Sequence, residues 1–405
     1  MVNIDTEYLK FENKHLMELL LQSLVDKVKE SSSVSYSLFS GRSGELLFLY
    51  EAAKYPNCRV DLNWLSDEIS LLVTNANKVL PNCSMASGMA GIAWFYQYVL
   101  QDQQETDDEN GSVDILFNEM LASDKWHGEY EYTLGLAGFA PYLARRTHTP
   151  QGKVNARVLI EHFSRLAVIE EGLAYWPTLP ESTFRINNNL SEVPEINLGL
   201  AHGHTGVLAA LLSLSREPSV AQAALPLLVA GCDWLISQQQ EVGAFQSYFA
   251  YLSSVPAKSR LAWCYGDLTI SLTLSRVGKF LERKDYTDFA CAVALHSARR
   301  DALDARIKDI GLCHGSSGLA LIFRLLYREL QAPELLESAK RWQNFNLQQY
   351  KEHGLTAFHK WTGNKDGRER KEEDFGLLEG YAGIGLSLLT GLAQEPNWAD
   401  ALLLA

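Results

Sequence analysis

Apolar and polar stretches alternate along this chain, and each long apolar stretch opens on the same local pattern. Gly-x-x-Gly steps begin at Gly41, Gly88, Gly135, Gly203, Gly315 and Gly380, and each is followed by a run with the apolar density of a buried helix. Leu46-Leu-Phe-Leu-Tyr50, Ile92-Ala-Trp-Phe95, Val207-Leu-Ala-Ala-Leu-Leu-Ser-Leu214 and Leu319-Ala-Leu-Ile-Phe323 are examples. A degraded seventh copy starts at Gly266, where Thr269 replaces the second glycine. Between them lie amphipathic stretches, at 154–168, 220–238 and 333–350, with the period of half-exposed helices. Seven units in register, each an apolar helix with an amphipathic partner, predict an all-α fold. Both ends read as ordinary units rather than polar caps, so a closed α/α toroid is expected in preference to an open solenoid. It is a double barrel of seven inner and seven outer helices. Short β inserts are expected at 172–177, 243–249 and 354–359, before later glycine steps.

The repeat divides the chain more firmly than its length does. One large domain is expected over 36–405, with 1–35 a helical N-terminal segment packed on it. Of the 405 residues, 47% are hydrophobic and 21% charged, the balance of a globular protein. No uninterrupted run of about 18 apolar residues occurs, and the N-terminus lacks the pattern of a signal peptide. The net charge of −13 argues against nucleic acid as a partner. The charge run 365–374 reads as an exposed loop with no specific role.

Six cysteines in such a chain suit a reducing cytoplasm better than a disulfide framework. Cys232 and Cys291 fall in helical runs, and Cys58 and Cys83 carry no assignable chemistry. Cys264 and Cys313 differ, because both stand two residues before the first glycine of a step, and His202 and His314 stand one residue before theirs. Equivalent loops of a closed ring face one way, so these groups should converge on one mouth. Two thiolates with an imidazole form a soft donor set suited to zinc, with a fourth position open for substrate. The local spacing is not that of a zinc finger, so packed cysteines beside a capping histidine remain the plain alternative.

The motifs Gly199-Leu-Ala-His-Gly203, Trp263-Cys-Tyr-Gly266 and Cys313-His-Gly315, in this order on the sevenfold background, resemble the lanthionine synthetase C-like proteins, the lanthipeptide cyclases. The resemblance covers nearly the whole chain. It implies one Zn²⁺ held by Cys264, Cys313 and His314, and addition of a peptide cysteine thiol to dehydroalanine or dehydrobutyrine. It also implies an acid/base role for His202, a stabilising cation in Arg260 and a hydrogen-bond donor in Tyr265. His204 is outside the matched position and reads as a helix-start residue. Glu131 stands where the family often has aspartate, and it is expected to orient His202. The fifth unit lacks the usual Pro-Gly, which should reshape the loop beside the metal. The first three units are too closely spaced to hold the small extra domain of some nisin-type members.

The implied partners are a dehydrated precursor peptide, a separate dehydratase and a loosely associated membrane transporter complex. Addition of glutathione to dehydrated residues is a second enzymatic reading, and a non-catalytic zinc-containing peptide-binding scaffold is a third. A toroidal glycosidase would need two carboxylates across the cavity, and only Glu131 stands at such a loop position.

Overall fold

The computed structural model describes residues 11–76, 82–104, 108–179, 182, 195–365 and 368–405. Residues 1–10 of the expected N-terminal segment lie outside the described residues. Each glycine step opens an inner helix: Arg42–Ala53, Met89–Asp102, Ala140–Arg146, His204–Leu214, Asp267–Phe280, Ser316–Leu330 and Tyr381–Gly391. In the third unit a 3-10 turn, Leu136–Phe139, precedes the helix. Every inner helix packs on the next, and the last packs on the first, so the ring closes. Gly385 makes that closure possible, because a Cβ there would stand 2.2 Å from the Phe48 ring of the first unit.

The outer helices follow as Leu62–Asn75, Gly111–Leu121, Pro150–Leu166, Pro218–Ser237, Lys284–Ser297 and Pro333–His353. Proline at the first position starts three of them, where its fixed φ costs nothing and its missing N–H would have had no partner. The seventh inner helix takes its outer partner from the other end of the chain: Phe11–Lys29 packs against Tyr381–Gly391. Met17, Leu20, Leu21, Leu24, Val25 and Val28 give that helix its buried face. Pro218–Ser237 is apolar and long enough to cross a membrane by composition, with a mean hydropathy of 1.5. In this fold it is the outer helix of the fourth unit, and half of that apolar window is buried.

The barrel is filled from inside. The C-terminal 3-10 helix Asn397–Leu402 is accepted by the Trp263 indole, whose Nε1 donates to the Leu402 carbonyl at 2.9 Å, and by the Tyr132 hydroxyl, which donates to the Ala401 carbonyl. Leu402, Leu403 and Leu404 are buried there.

The β inserts are fewer and differently placed than expected. β1 (Val168–Glu170) and β2 (Leu173–Tyr175) pair antiparallel about the turn at Gly172, whose φ is +83°. Residues 243–249 carry a helical turn, Val242–Phe245, instead of a strand, ended by Gln246 in the left-handed region. Residues 354–358 form a 3-10 turn, and the strands lie beyond it: β3 (Lys360–Lys365) and β4 (Arg368–Glu372). Much of the charge run is therefore a hairpin rather than a loop. Arg370, Lys371 and Glu372 of β4 are exposed, which keeps their charges in water on an extended backbone.

Seven loops meet at the mouth formed by the N-terminal ends of the inner helices. The N–H of Phe39 donates to the Ala86 carbonyl (3.1 Å), Ala86 to Thr133 (3.1 Å), Thr133 to Ala201 (3.3 Å) and Ala201 to Cys264 (3.2 Å). Trp263 then donates to Cys313 (2.7 Å), Cys313 to Leu378 (2.8 Å) and Leu378 back to Phe39 (3.2 Å). Each acceptor stands two residues before the first glycine of its own unit. In six units the amide following that glycine also donates to the carbonyl seven residues earlier, as His204 does to Asn197 at 2.8 Å. The second glycine then lies against a carbonyl: a Cβ on Gly383 would stand 1.8 Å from the oxygen of Leu377. The fifth unit departs, as its sequence suggested. Gly266 has φ +95°, a conformation that needs glycine, and the turned loop accommodates the buried Thr269 in place of the second glycine.

Two outcomes follow from this packing. Gly383→Ala should destabilise the chain by about 1–3 kcal/mol or more, since backbone and not a flexible side chain blocks the methyl group. Gly243→Ala, with nothing within 4 Å, should stay within about 0.5 kcal/mol of the parent, and thermal unfolding of the two variants checks the contrast. The second outcome concerns His204, which is buried between Trp176 and Trp234 with Nε2 donating to the Gly231 carbonyl at 2.9 Å. Burial depresses its pKa to about 4. The unfolded chain takes up the proton first, near pH 6.5, so stability is full above that pH and falls as pH drops toward 4. The loss amounts to about 3 kcal/mol. Unfolding of His204→Gln measured beside the parent from pH 8 to 4 should show this part of the acid sensitivity removed.

Candidate active site at the loop mouth

The ring of peptide hydrogen bonds decides what reaches the mouth. The position before each first glycine presents Ser40, Ser87, Leu134, His202, Tyr265, His314 and Glu379 in turn. Ser40, Ser87 and Leu134 are exposed, and the other four are half-buried. The chemistry therefore occupies one arc, from the fourth unit to the seventh.

His202 is held from the third unit. Its Nδ1 stands 2.7 Å from Oε2 of Glu131, whose side chain is only 3% exposed. Glu131 also accepts from the Thr133 amide (3.0 Å), the Thr133 hydroxyl (2.5 Å) and the Leu134 amide (2.5 Å). Four donors on one buried carboxylate hold it fixed. This glutamate, one methylene longer than the aspartate, reaches the imidazole and orients the ring through Nδ1.

Cys264 and Cys313 are brought together by the Trp263–Cys313 backbone bond, and their thiols hydrogen-bond to each other. That bond from Cys313 is the main reason the Cys264 thiol falls to about 7. Burial opposes the shift, and the charges of His314, Arg260 and His202 assist it. Cys313 is pushed up, first by donating that hydrogen bond and then by burial. Of the two thiols, Cys264 is therefore the one biased toward the thiolate. All six cysteines are free of disulfides.

His314 stands beside this pair, with Nε2 3.3 Å from Oδ2 of Asp309. Burial works against the imidazolium, but Asp309 outweighs it and raises the pKa. Asp309 is itself buried, accepts from the Gly311 amide at 3.1 Å and takes the Trp361 amide of β3 at 3.4 Å. With Nε2 turned to Asp309, Nδ1 is the nitrogen through which His314 can bind a metal. The donors fit zinc in kind: two adjacent thiols, and an imidazole oriented by a carboxylate. They are not drawn to ligand range, since among the described residues no three His, Cys, Asp or Glu groups stand together as a metal cluster.

Tyr265 packs on Gly199, where a Cβ would lie 2.5 Å from its ring, and its hydroxyl accepts from Asn197 Nδ2 at 2.9 Å. Burial is the main cause of its raised pKa, so the phenol stays protonated and able to donate. Arg260 donates its backbone amide to the Tyr251 hydroxyl at 2.9 Å, and Tyr251 packs edge-on against Tyr265. Its Nε is buried with no acceptor. All seven residues singled out from sequence therefore stand at this mouth.

The sequence reading missed the residues that hold them. Asn197 and Asp309 occupy the same place in their units, six before the first glycine, as do Ser35, Asn82 and Asp374. Each caps the amide two residues on. That recurring turn signal was present in the sequence. Thr133 and Glu379 carried none beyond their register; Glu379 lies 3.6 Å from Lys360 and acts by charge on Cys313 and His314.

A family model described as lanthionine synthetase C-like protein matches residues 32–403. The nisin biosynthesis protein NisC of Lactococcus lactis subsp. lactis is 25% identical over 399 residues, covering 91% of this chain and 88% of that protein. A solved structure named nisin cyclase superposes with a TM-score of 0.74 at 22% identity, covering 98% of both chains, and shares the toroidal fold.

Proposed function

The chain belongs to the lanthionine synthetase C-like family, and from that premise we propose that it closes thioether rings in a lanthipeptide precursor. The substrate carries cysteine together with dehydroalanine or dehydrobutyrine. The observation that carries this reading is the Cys264–Cys313 thiol pair facing an imidazole, His202, that is locked on the buried carboxylate of Glu131. The name of the nisin relative supports the same substrate class.

Cys264, Cys313 and His314 would hold a zinc ion, which when bound lowers the pKa of a substrate thiol so that it reacts as thiolate. The remaining chemistry belongs to the chain. Joining the substrate sulfur to the β-carbon moves the alkene electrons onto the carbonyl oxygen as an enolate. Arg260, through its unpartnered Nε, and the Tyr265 hydroxyl are the donors suited to that oxygen. His202, with its Nδ1 proton kept on Glu131, delivers a proton from Nε2 to the α-carbon. The proton lost by the thiol and the one gained at carbon balance. Asp309 holds the His314 ring, and Asn197 with Gly199 holds Tyr265.

Because the acceptor is an alkene, a dehydratase must act first. The free cysteines suit a reducing cytoplasm, and a loosely bound transporter complex is the partner that export of the product would require.

His202→Ala should retain metal and lose roughly 10²–10⁴-fold in cyclisation rate, with rings of mixed stereochemistry because solvent protonates either face. Glu131→Gln should show a weaker form of the same defect. Product mass and chirality on a dehydrated peptide are the readouts, and a wild-type rate for His202→Ala sinks the acid/base assignment. The same assay with added glutathione separates ring closure from intermolecular addition. Metal is measured independently of activity: the purified chain should carry about one zinc. Cys313→Ala should lose it, and Asp309→Asn should weaken its binding by about 10–100-fold. Full retention by Cys313→Ala would refute the ligand set.

A further inference from the structure

The opposite mouth of the barrel holds a second cavity, of about 470 Å³, where the inner helices end. A helix of 14 residues separates it from the loop mouth by about 20 Å. Arg145, Arg216, Arg276 and Arg328 line it. Basic residues near helix C-termini compensate the macrodipole, and that alone explains their presence there. It does not explain how they are partnered.

Most carboxylate oxygens at this cavity are already committed, and the exception is Oδ1 of the buried Asp400, which has no hydrogen-bond partner among the described residues and feels the charge of Arg216. Asp400 pairs with Arg145 at 2.7 Å, and Glu395 with Arg328 at 2.8 Å. Glu329 takes Arg276 Nε at 3.0 Å and Lys279 at 2.7 Å. Asp102 takes Lys54 at 2.9 Å and the Tyr50 hydroxyl at 2.8 Å. The exposed Arg216 makes no hydrogen bond or ion pair among the described residues. Nη1 of Arg276 is buried with no acceptor. Burial lowers the pKa of Arg276, and the charges of Arg216 and Arg328 lower it further, against Glu329. Arg216, Arg276 and Arg328 are thus crowded round one cavity, where Arg216 and Nη1 of Arg276 have no acceptor among the described residues. A buried charged donor left unsatisfied is destabilising unless something accepts from it.

We propose that this cavity is a binding site for a small oxyanion, a phosphate or carboxylate group, gripped between Arg216 and Nη1 of Arg276 beside Arg328. The guanidinium fork matches such oxygens in pairs, and the cavity admits a group larger than a bare ion. The site shares no residue with the loop mouth, so it stands whether or not ring closure does.

The full chain is titrated with inorganic phosphate, and separately with acetate, at constant ionic strength, by calorimetry and by thermal shift. Saturable binding of either anion is expected, and the stronger of the two names the class of group. Arg216→Gln, a surface change, should weaken binding about tenfold or more while leaving zinc content and ring formation unaltered. Arg276→Lys keeps the charge but removes the fork, and should weaken binding as well. Two results overturn the proposal: no saturable binding of either anion, which leaves a water-filled cavity only, or binding that both variants leave intact.

Discussion

Seven peptide hydrogen bonds, each from one loop to the next, form a closed circuit at the mouth of the barrel, and the position of every reactive group depends on them. A peptide group committed at both ends cannot rotate, so the side chain it carries has a fixed origin. The acceptor position supplies Cys264 and Cys313, and the residue after it supplies His202, Tyr265, His314 and Glu379. The slip by one residue at Trp263 is the single irregularity in the circuit, and it falls where the two thiols meet. A circuit also spreads strain: opening one bond leaves a buried donor and acceptor unpaired and loosens both neighbours. The C-terminal segment braces it from below through Tyr132 and Trp263, which flank Phe39 in one aromatic cluster.

This dependence explains what the sequence disclosed. Glycine steps followed by apolar runs repeat because a carbonyl excludes any Cβ at the second glycine, and such steric demands leave a visible residue. The toroid was therefore legible down to its seven units. The partner of the last inner helix was not, since Phe11–Lys29 lies at the far end of the chain and carries no mark of its destination. The inserts misled for a local reason. Residues 243–249 and 354–359 have aromatic, strand-like composition, yet Phe249 is buried from an irregular segment after a helical turn and Phe358 from a 3-10 turn. Burial, not pleating, selected those side chains.

At the site, residues of distinctive chemistry were found, and residues that position them were missed. Cys264, Cys313 and His314 announce themselves by type. Asp309 differs from other surface-like aspartates only in its place six residues before a glycine, and Thr133 only in being next to Glu131's partner. The role of Thr133, like that of Glu131, exists through two neighbouring units at once: both belong to the third unit and serve a histidine of the fourth. A pattern read along one strand of sequence does not display a contact made across the ring.

The common direction of the inner helices has an electrostatic consequence for both mouths. Seven helix N-termini point at the loop mouth, each equivalent to about half a positive charge. Most of the amides there are taken by carbonyls, so the field and not the free donors is what remains. That field favours negative charge at this mouth, in a chain whose net charge of −13 would otherwise oppose it. The far mouth receives seven C-termini of the opposite sign and answers with Arg145, Lys279 and Arg328 in last turns. Closing a ring of parallel helices thus polarises the barrel along its axis. Anionic chemistry at one end is assisted by the same geometry that gathers cations at the other.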